Sequence, residues 1–107
     1  MRYKRTQHEV TASVYDKKGN CLATAKNSYR KTHPLQAYFA SKVGLPEKIY
    51  LHAEIAAILK AGKKQIHKIK IERYGRQGSP LNAKPCPICE EAIKAFGISF
   101  VEYTEEA

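Results

Sequence analysis

From Val10 to Asn27 the chain alternates apolar and polar positions. Val10, Ala12 and Val14 fall between polar neighbours, Asp16-Lys17-Lys18-Gly19-Asn20 has the composition of a tight turn, and Leu22 to Lys26 runs back. Period-two alternation broken by a Gly/Asn turn predicts a β-hairpin. The stretch from Ser28 to Leu51 is long and mixed. Within it Pro34 suits the first turn of a short helix that Gly44 and Pro46 stop. Ala53, Ile55, Ala56, Ala57, Ile58, Leu59 and Ala61 are apolar nearly all round a helix, which predicts burial on most sides and an end at Gly62. Ile69 and Ile71 then alternate with Lys68, Lys70 and Glu72, the pattern of a strand with one wet face. Gly75 to Lys84 reads as loop. A further helix starts around Pro87, with Glu90 and Glu91 matched to its positive end and Gly97 capping it. Ile98 to Thr104 reads as a last strand. The order strand, strand, helix, strand, helix, strand predicts an α/β layered domain with helices packed on a central sheet.

Length sharpens this only slightly. At 107 residues the chain is expected to form one domain over 1–107 with a single modest core. No apolar run approaches the roughly 18 residues that span a bilayer. The basic start, Met1-Arg2-Tyr3-Lys4-Arg5-Thr6, leads into no apolar segment of the secretory kind. A cytoplasmic location and no membrane partner are the expectation. Nineteen Lys and Arg against ten Asp and Glu give a formal charge of +9. Such a balance favours anionic partners, either nucleic acid or a phosphorylated small substrate. The charges are spread along the chain and form no dense run.

Two short motifs stand apart from the packing pattern. His52-Ala53-Glu54 puts two polar residues at the head of an apolar helix, and Pro85-Cys86-Pro87-Ile88-Cys89 puts two thiols at the head of another. Cysteines three apart rarely form a structural disulfide, and in a reducing compartment the spacing points to metal or redox chemistry. A thioredoxin-like redox motif belongs on the helix after the first strand of a βαβ unit. Here it lies near the C-terminus between prolines, which favours metal. Zinc accepts Cys and His, and catalytic zinc sites keep three protein ligands with water at the fourth position. Cys86, Cys89 and His52 supply such a set. Thiolates are favoured at a helix N-terminus, and Pro85 and Pro87 restrict the backbone that carries them. His52 and Glu54, two apart, point in different directions inside a helix and share a site only off its end. The two helix N-termini are therefore expected to face each other across the metal. Cys21, in a strand-like run, reads as a small buried hydrophobe. His8, His33 and His67 read as surface or loop histidines.

His52-Ala53-Glu54 together with Pro85-Cys86-Pro87-Ile88-Cys89 resembles the zinc-dependent cytidine and deoxycytidylate deaminase superfamily, whose signature is H-x-E…P-C-x-x-C. The resemblance runs from about Val10 to Thr104. It implies a cytidine deaminase-like three-layer sandwich whose central mixed sheet has about four strands. It implies Zn2+ held by His52, Cys86 and Cys89, with hydroxide generated near pH ~7 attacking the carbon that bears the exocyclic amine. Glu54 would move protons from water to the ring nitrogen and to departing ammonia, without binding metal. The resemblance also places Asn27 on the sugar or base and the backbone near Ala53 and Pro85–Cys86 on the base edge. Where the family usually has a helix before the first strand, and often a fifth strand and closing helix, this chain has a short basic arm and ends at Ala107.

The substrate stays open at this point. A free cytosine nucleoside or nucleotide is the first expectation, with Arg30, Lys31 and Lys84 flanking the mouth and able to hold a phosphate. A cytosine or adenine within DNA or RNA is the second, favoured by the charge. A non-catalytic nucleic-acid-binding module with a closed structural zinc, completed by His33, is the third. Glu54 speaks against that last reading, since a structural site has no use for it. Tyr29, Tyr38 and Tyr50 are available for stacking on a base, whereas Phe39 reads as packing. By the same resemblance a homodimer or homotetramer is expected.

Overall fold

The computed structural model describes residues 9–75 and 78–106. The basic arm and His8 lie outside the described residues. Strands β1 (Val10–Tyr15) and β2 (Cys21–Lys26) form the expected hairpin, with Asp16 closing its turn. The Asp16 carboxylate accepts the N–H groups of Lys18 and Asn20, both at 2.9 Å, and the Asn20 side-chain amide at 3.1 Å. Helix α1 (Pro34–Lys42) follows, then α2 (Ala53–Ala61), β3 (Lys68–Arg73), α3 (Pro87–Ala95) and β4 (Phe100–Tyr103).

The sheet order is β2-β1-β3-β4, with β1 antiparallel to β2 and β3, and β3 parallel to β4. Because β1 runs against its neighbours, β2, β3 and β4 all point one way. Their carboxyl ends, at Lys26, Arg73 and Tyr103, gather along one edge, where open α/β sheets bind ligands. The hairpin turn lies at the opposite edge.

Register decides which residues enter the core. Ala12 sits opposite Ile71 and Val14 opposite Ile69, all four with no exposed surface. Thr11, Ser13, Lys68, Lys70 and Glu72 take the other face. Helix α2 packs on β1, β2 and β3 through its buried Ile55, Ala57, Ile58 and Ala61, while α3 packs on α1 and α2. The α/β class and the mixed four-stranded sheet agree with the sequence reading. Of the expected three layers, the described residues supply the sheet and the helices over its apolar face.

The helix ends follow local chemistry. Pro34 and Pro87 each stand in a first turn, where a missing N–H leaves no bond unmade. After α3, Gly97 adopts φ 68°, and the N–H groups of Gly97 and Ile98 bond back to the carbonyls of Lys94 and Ile93. That is a Schellman cap, with Ile93 and Ile98 both buried beside it. Two expectations for single residues resolve differently. Phe39 is 3% exposed and packs in the core as expected. Cys21 is exposed, contrary to its reading as a buried hydrophobe. The strand register shifts between Val14 and Tyr15, opposite Cys21, and its sulfur lies 3.5 Å from the Thr24 hydroxyl.

Candidate metal centre and cavity

His52 and Cys86 are the N-cap residues of α2 and α3, and neither makes a side-chain capping bond. Both side chains are thereby available to turn off their helix ends, as the spacing of His52 and Glu54 requires. Loop pairing brings the first of these ends into place. Ser28 N–H donates to Leu51 C=O and Leu51 N–H to Lys31 C=O, both at 2.9 Å, so the chain after β2 holds the chain before α2. The second end is held by Thr104. Its hydroxyl donates to Leu81 C=O at 2.6 Å and accepts from Arg73 N–H at 3.1 Å, and Ala83 N–H donates to its carbonyl at 2.9 Å. The loop leading to Cys86 is pinned to the ends of β3 and β4.

His52 Nδ1 lies 3.3 Å from Cys89 Sγ and 3.5 Å from Cys86 Sγ, and the three ligand atoms all fall within 4.8 Å of one another. Zinc bond lengths of about 2.3 Å to sulfur and about 2.05 Å to nitrogen, at a tetrahedral angle, put N and S about 3.6 Å apart. The donor set and its spacing therefore fit Zn2+. Among the described residues this is the one such convergence. His33 is engaged elsewhere, its Nδ1 accepting the Leu35 N–H at 3.0 Å as the cap of α1. A fourth ligand from His33 has no support in this geometry.

The cluster's protonation follows from its contacts. In the metal-free chain Cys86 accepts a hydrogen bond from Cys89 and another from His52, which hold its thiol down at about 4 against the opposing effect of burial. Cys89 is pushed well above the ordinary thiol range, first by donating to Cys86 and then by burial. His52 is raised, chiefly by its bond to Cys86. Glu54, 6% exposed, is raised mainly by desolvation.

Beside the cluster opens a cavity of about 680 Å³ at the carboxyl ends of β2 and β3. Of the residues singled out in the sequence, His52, Ala53, Glu54, Cys86, Asn27, Lys84, Tyr29 and Tyr50 line it, and Tyr38 does not. Asn27 also has a structural duty, its side-chain oxygen accepting the Val10 N–H at 2.9 Å. Arg30, Lys31 and Pro85 are not in this lining. Arg30 and Lys31 sit in a turn whose N–H groups both donate to Ser28 Oγ, and Pro85 is buried. Lys31 borders a second cavity of about 480 Å³, with Lys26 and Lys60 over Ala25, Leu51, Ala56 and Leu59. The two cavities share Asn27 and Ser28.

Sequence reasoning missed two cations of the main cavity, Lys48 and Arg73. Arg73 ends β3 as an ordinary strand residue would, and only the sheet polarity reveals where it points. Its Nη1 donates to Asn82 C=O at 3.3 Å, while its buried Nε has no partner among the described residues.

The family model of the cytidine and deoxycytidylate deaminase zinc-binding region matches residues 1–105. The chain belongs to that family. No curated protein matches it. As a member of a deaminase family it carries the zinc-binding cluster in the arrangement that the H-x-E and P-C-x-x-C motifs imply, and the family acts on pyrimidine substrates. Among the described residues no helix is long and apolar enough to cross a membrane.

Proposed function

We propose that this protein hydrolyses the exocyclic amine of cytosine carried by a free nucleoside or nucleotide, giving the uracil form and ammonia. One observation carries the reading: a buried carboxyl, Glu54, stands in a cavity beside three converging zinc ligands. Zinc bound there supplies Lewis acidity that brings the pKa of water toward ~7. Glu54 takes a proton from the attacking water and delivers it to ring N3. As the C–N bond breaks, Glu54 takes the remaining proton from the newly added hydroxyl, which becomes the carbonyl, and passes it to the leaving nitrogen, so that one water is consumed and one ammonia released. Its raised pKa suits a group that must both accept and return protons near neutral pH. Asn27 and the backbone at Ala53 and Cys86, all in the cavity lining, orient the sugar and base. Lys84, with Lys48 and Arg73, offers positive charge to a phosphate, and Arg30 and Lys31 lie further out.

Ultraviolet absorbance on mixing the zinc-loaded protein with cytidine, deoxycytidine and their monophosphates tests this directly. Conversion is expected with at least one of the four. Glu54→Ala is expected to reduce it by about 10²–10⁴-fold, the usual worth of general acid–base help. No conversion of any of the four would sink the free-substrate reading.

A second reading, deamination within DNA or RNA, draws support from the neighbouring cavity with Lys26, Lys31 and Lys60. Assembly as a homodimer or homotetramer belongs to the main reading, supported by exposed Phe96, Phe100 and Val101 around the edge strand β4. Light scattering in solution measures it. A cytoplasmic setting, which keeps thiols reduced, suits the cysteine ligands.

A further inference from the structure

Gln36 is polar, sits on α1 outside the metal cluster, and has no exposed surface at all. It shares the core-facing side of α1 with Phe39 and Ala40, the other buried residues of that helix. A side-chain amide has no place on such a face unless both of its ends are satisfied. Here both are, and both partners are backbone groups of the segment that leads to the cluster. The amide nitrogen donates to Lys48 C=O at 3.1 Å, and the amide oxygen accepts the His52 N–H at 3.1 Å.

The segment between α1 and α2 contains no helix and no strand, and Pro46 to Tyr50 are exposed. Val43, Leu45 and Leu51 pack against the core, but none of the residues between Leu45 and Leu51 is among those that do. The N–H of His52, as an N-cap residue, lies outside the hydrogen-bonded ladder of α2 and needs an outside partner. Gln36 supplies that partner and grips the same segment four residues earlier. Leu51, between these two points, is fixed separately by Ser28 and Lys31. The backbone of His52 is therefore held from the core side by α1 and from the surface side by the loop after β2.

We infer that Gln36 is a positioning residue for the metal centre, setting the backbone of His52 so that its Nδ1 meets the two sulfurs. This inference rests on the His52–Cys86–Cys89 cluster and not on the choice of substrate. Groups that orient a metal ligand typically alter metal affinity by about 10–100-fold when removed. Gln36→Met keeps the length of the side chain and removes both hydrogen bonds. Phe39→Leu, three residues along on the same buried side, disturbs the same packing and touches neither Lys48 nor His52 by a hydrogen bond.

The experiment is competition for Zn2+ against a chromophoric chelator, with circular dichroism to confirm folding and the visible spectrum of the Co2+-loaded protein to report ligand geometry. Gln36→Met is expected to bind Zn2+ about 10–100-fold more weakly and to shift the Co2+ bands. Phe39→Leu is expected to keep the wild-type affinity and spectrum. Wild-type affinity in folded Gln36→Met, or an equal loss in Phe39→Leu, overturns the inference. Amide hydrogen exchange of the wild-type protein gives a check that needs no variant. The His52 N–H is expected to exchange as slowly as core amides, and exchange at the rate of exposed loop amides also overturns it.

Discussion

Metal-free Cys86 and Cys89 share one negative charge, with the thiolate on Cys86 and the proton on Cys89. A thiol with a pKa of about 4 stays ionised at pH values where an ordinary thiol, near 9.0, is protonated. Iodoacetamide is therefore expected to alkylate Cys86 at a rate nearly constant from pH 9 down to about 6, and to slow only as pH falls through about 4. Zinc should protect it, and peptide mass spectrometry reads both effects. Glu54 makes the opposite case. Its folded pKa lies above the ordinary 4.5, so the folded state binds more protons than the unfolded state between these values, and stability falls as pH rises through the folded pKa. Glu54→Gln is expected to be inactive yet more stable than wild type in the metal-free form at pH 8, with the advantage shrinking toward pH 4. Urea unfolding at the two pH values measures it, and an equal stability at both would remove burial as the cause. These residues were legible in the sequence because their types and spacings are rare together. Gln36 was not, because a lone glutamine on a mixed helix carries no signal until its two partners are known.

At the scale of elements, short helices are marginal alone and depend on packing. Helix α2 has nine residues, six of them buried, and Ile55 among them is fully enclosed. Ile55→Ala is expected to cost about 2–5 kcal/mol in denaturant unfolding, because the sheet and neighbouring helices cannot close around the missing atoms. A loss under ~1 kcal/mol would mean that α2 is less tightly seated than its burial implies. The hairpin, α2, α3 and both helix stops were readable from period, proline and glycine, all local features. Cys21 was misread because alternation gives its side of the strand but not the register shift opposite it. Arg73 and Lys48 escaped notice because they reach the cavity through sheet polarity and a loop path, which connect residues far apart in sequence.

For the molecule as a whole, metal binding is linked to folding stability. Zinc that binds only the folded chain stabilises it by about 2.7 kcal/mol at a free concentration 100 times its dissociation constant. A chelator such as dipicolinate is expected to lower the thermal midpoint, and added zinc to restore it. An unchanged midpoint would mean that the cluster holds no zinc. The formal charge of +9 acts at this scale as well. For a free cytosine nucleotide, log affinity is expected to fall shallowly with log salt, as for about one phosphate. Single-stranded nucleic acid lying across both cavities would show a slope near −0.7 for every phosphate neutralised. A slope several-fold steeper with an oligonucleotide, together with tighter binding at low salt, would move the substrate from free to polymeric.

The sheet also has a quiet end. The turn closed by Asp16 and Asn20 stands at the opposite edge from Asn27 and Arg73, with Lys17 to Asn20 exposed and its hydrogen bonds, among the described residues, kept within the turn. Exposed tips of this kind tolerate added sequence. A fluorophore, an epitope or a pair of new chain termini introduced at Lys17–Lys18 should leave the cavity end as it is, which makes this turn the natural handle for immobilising or labelling the protein.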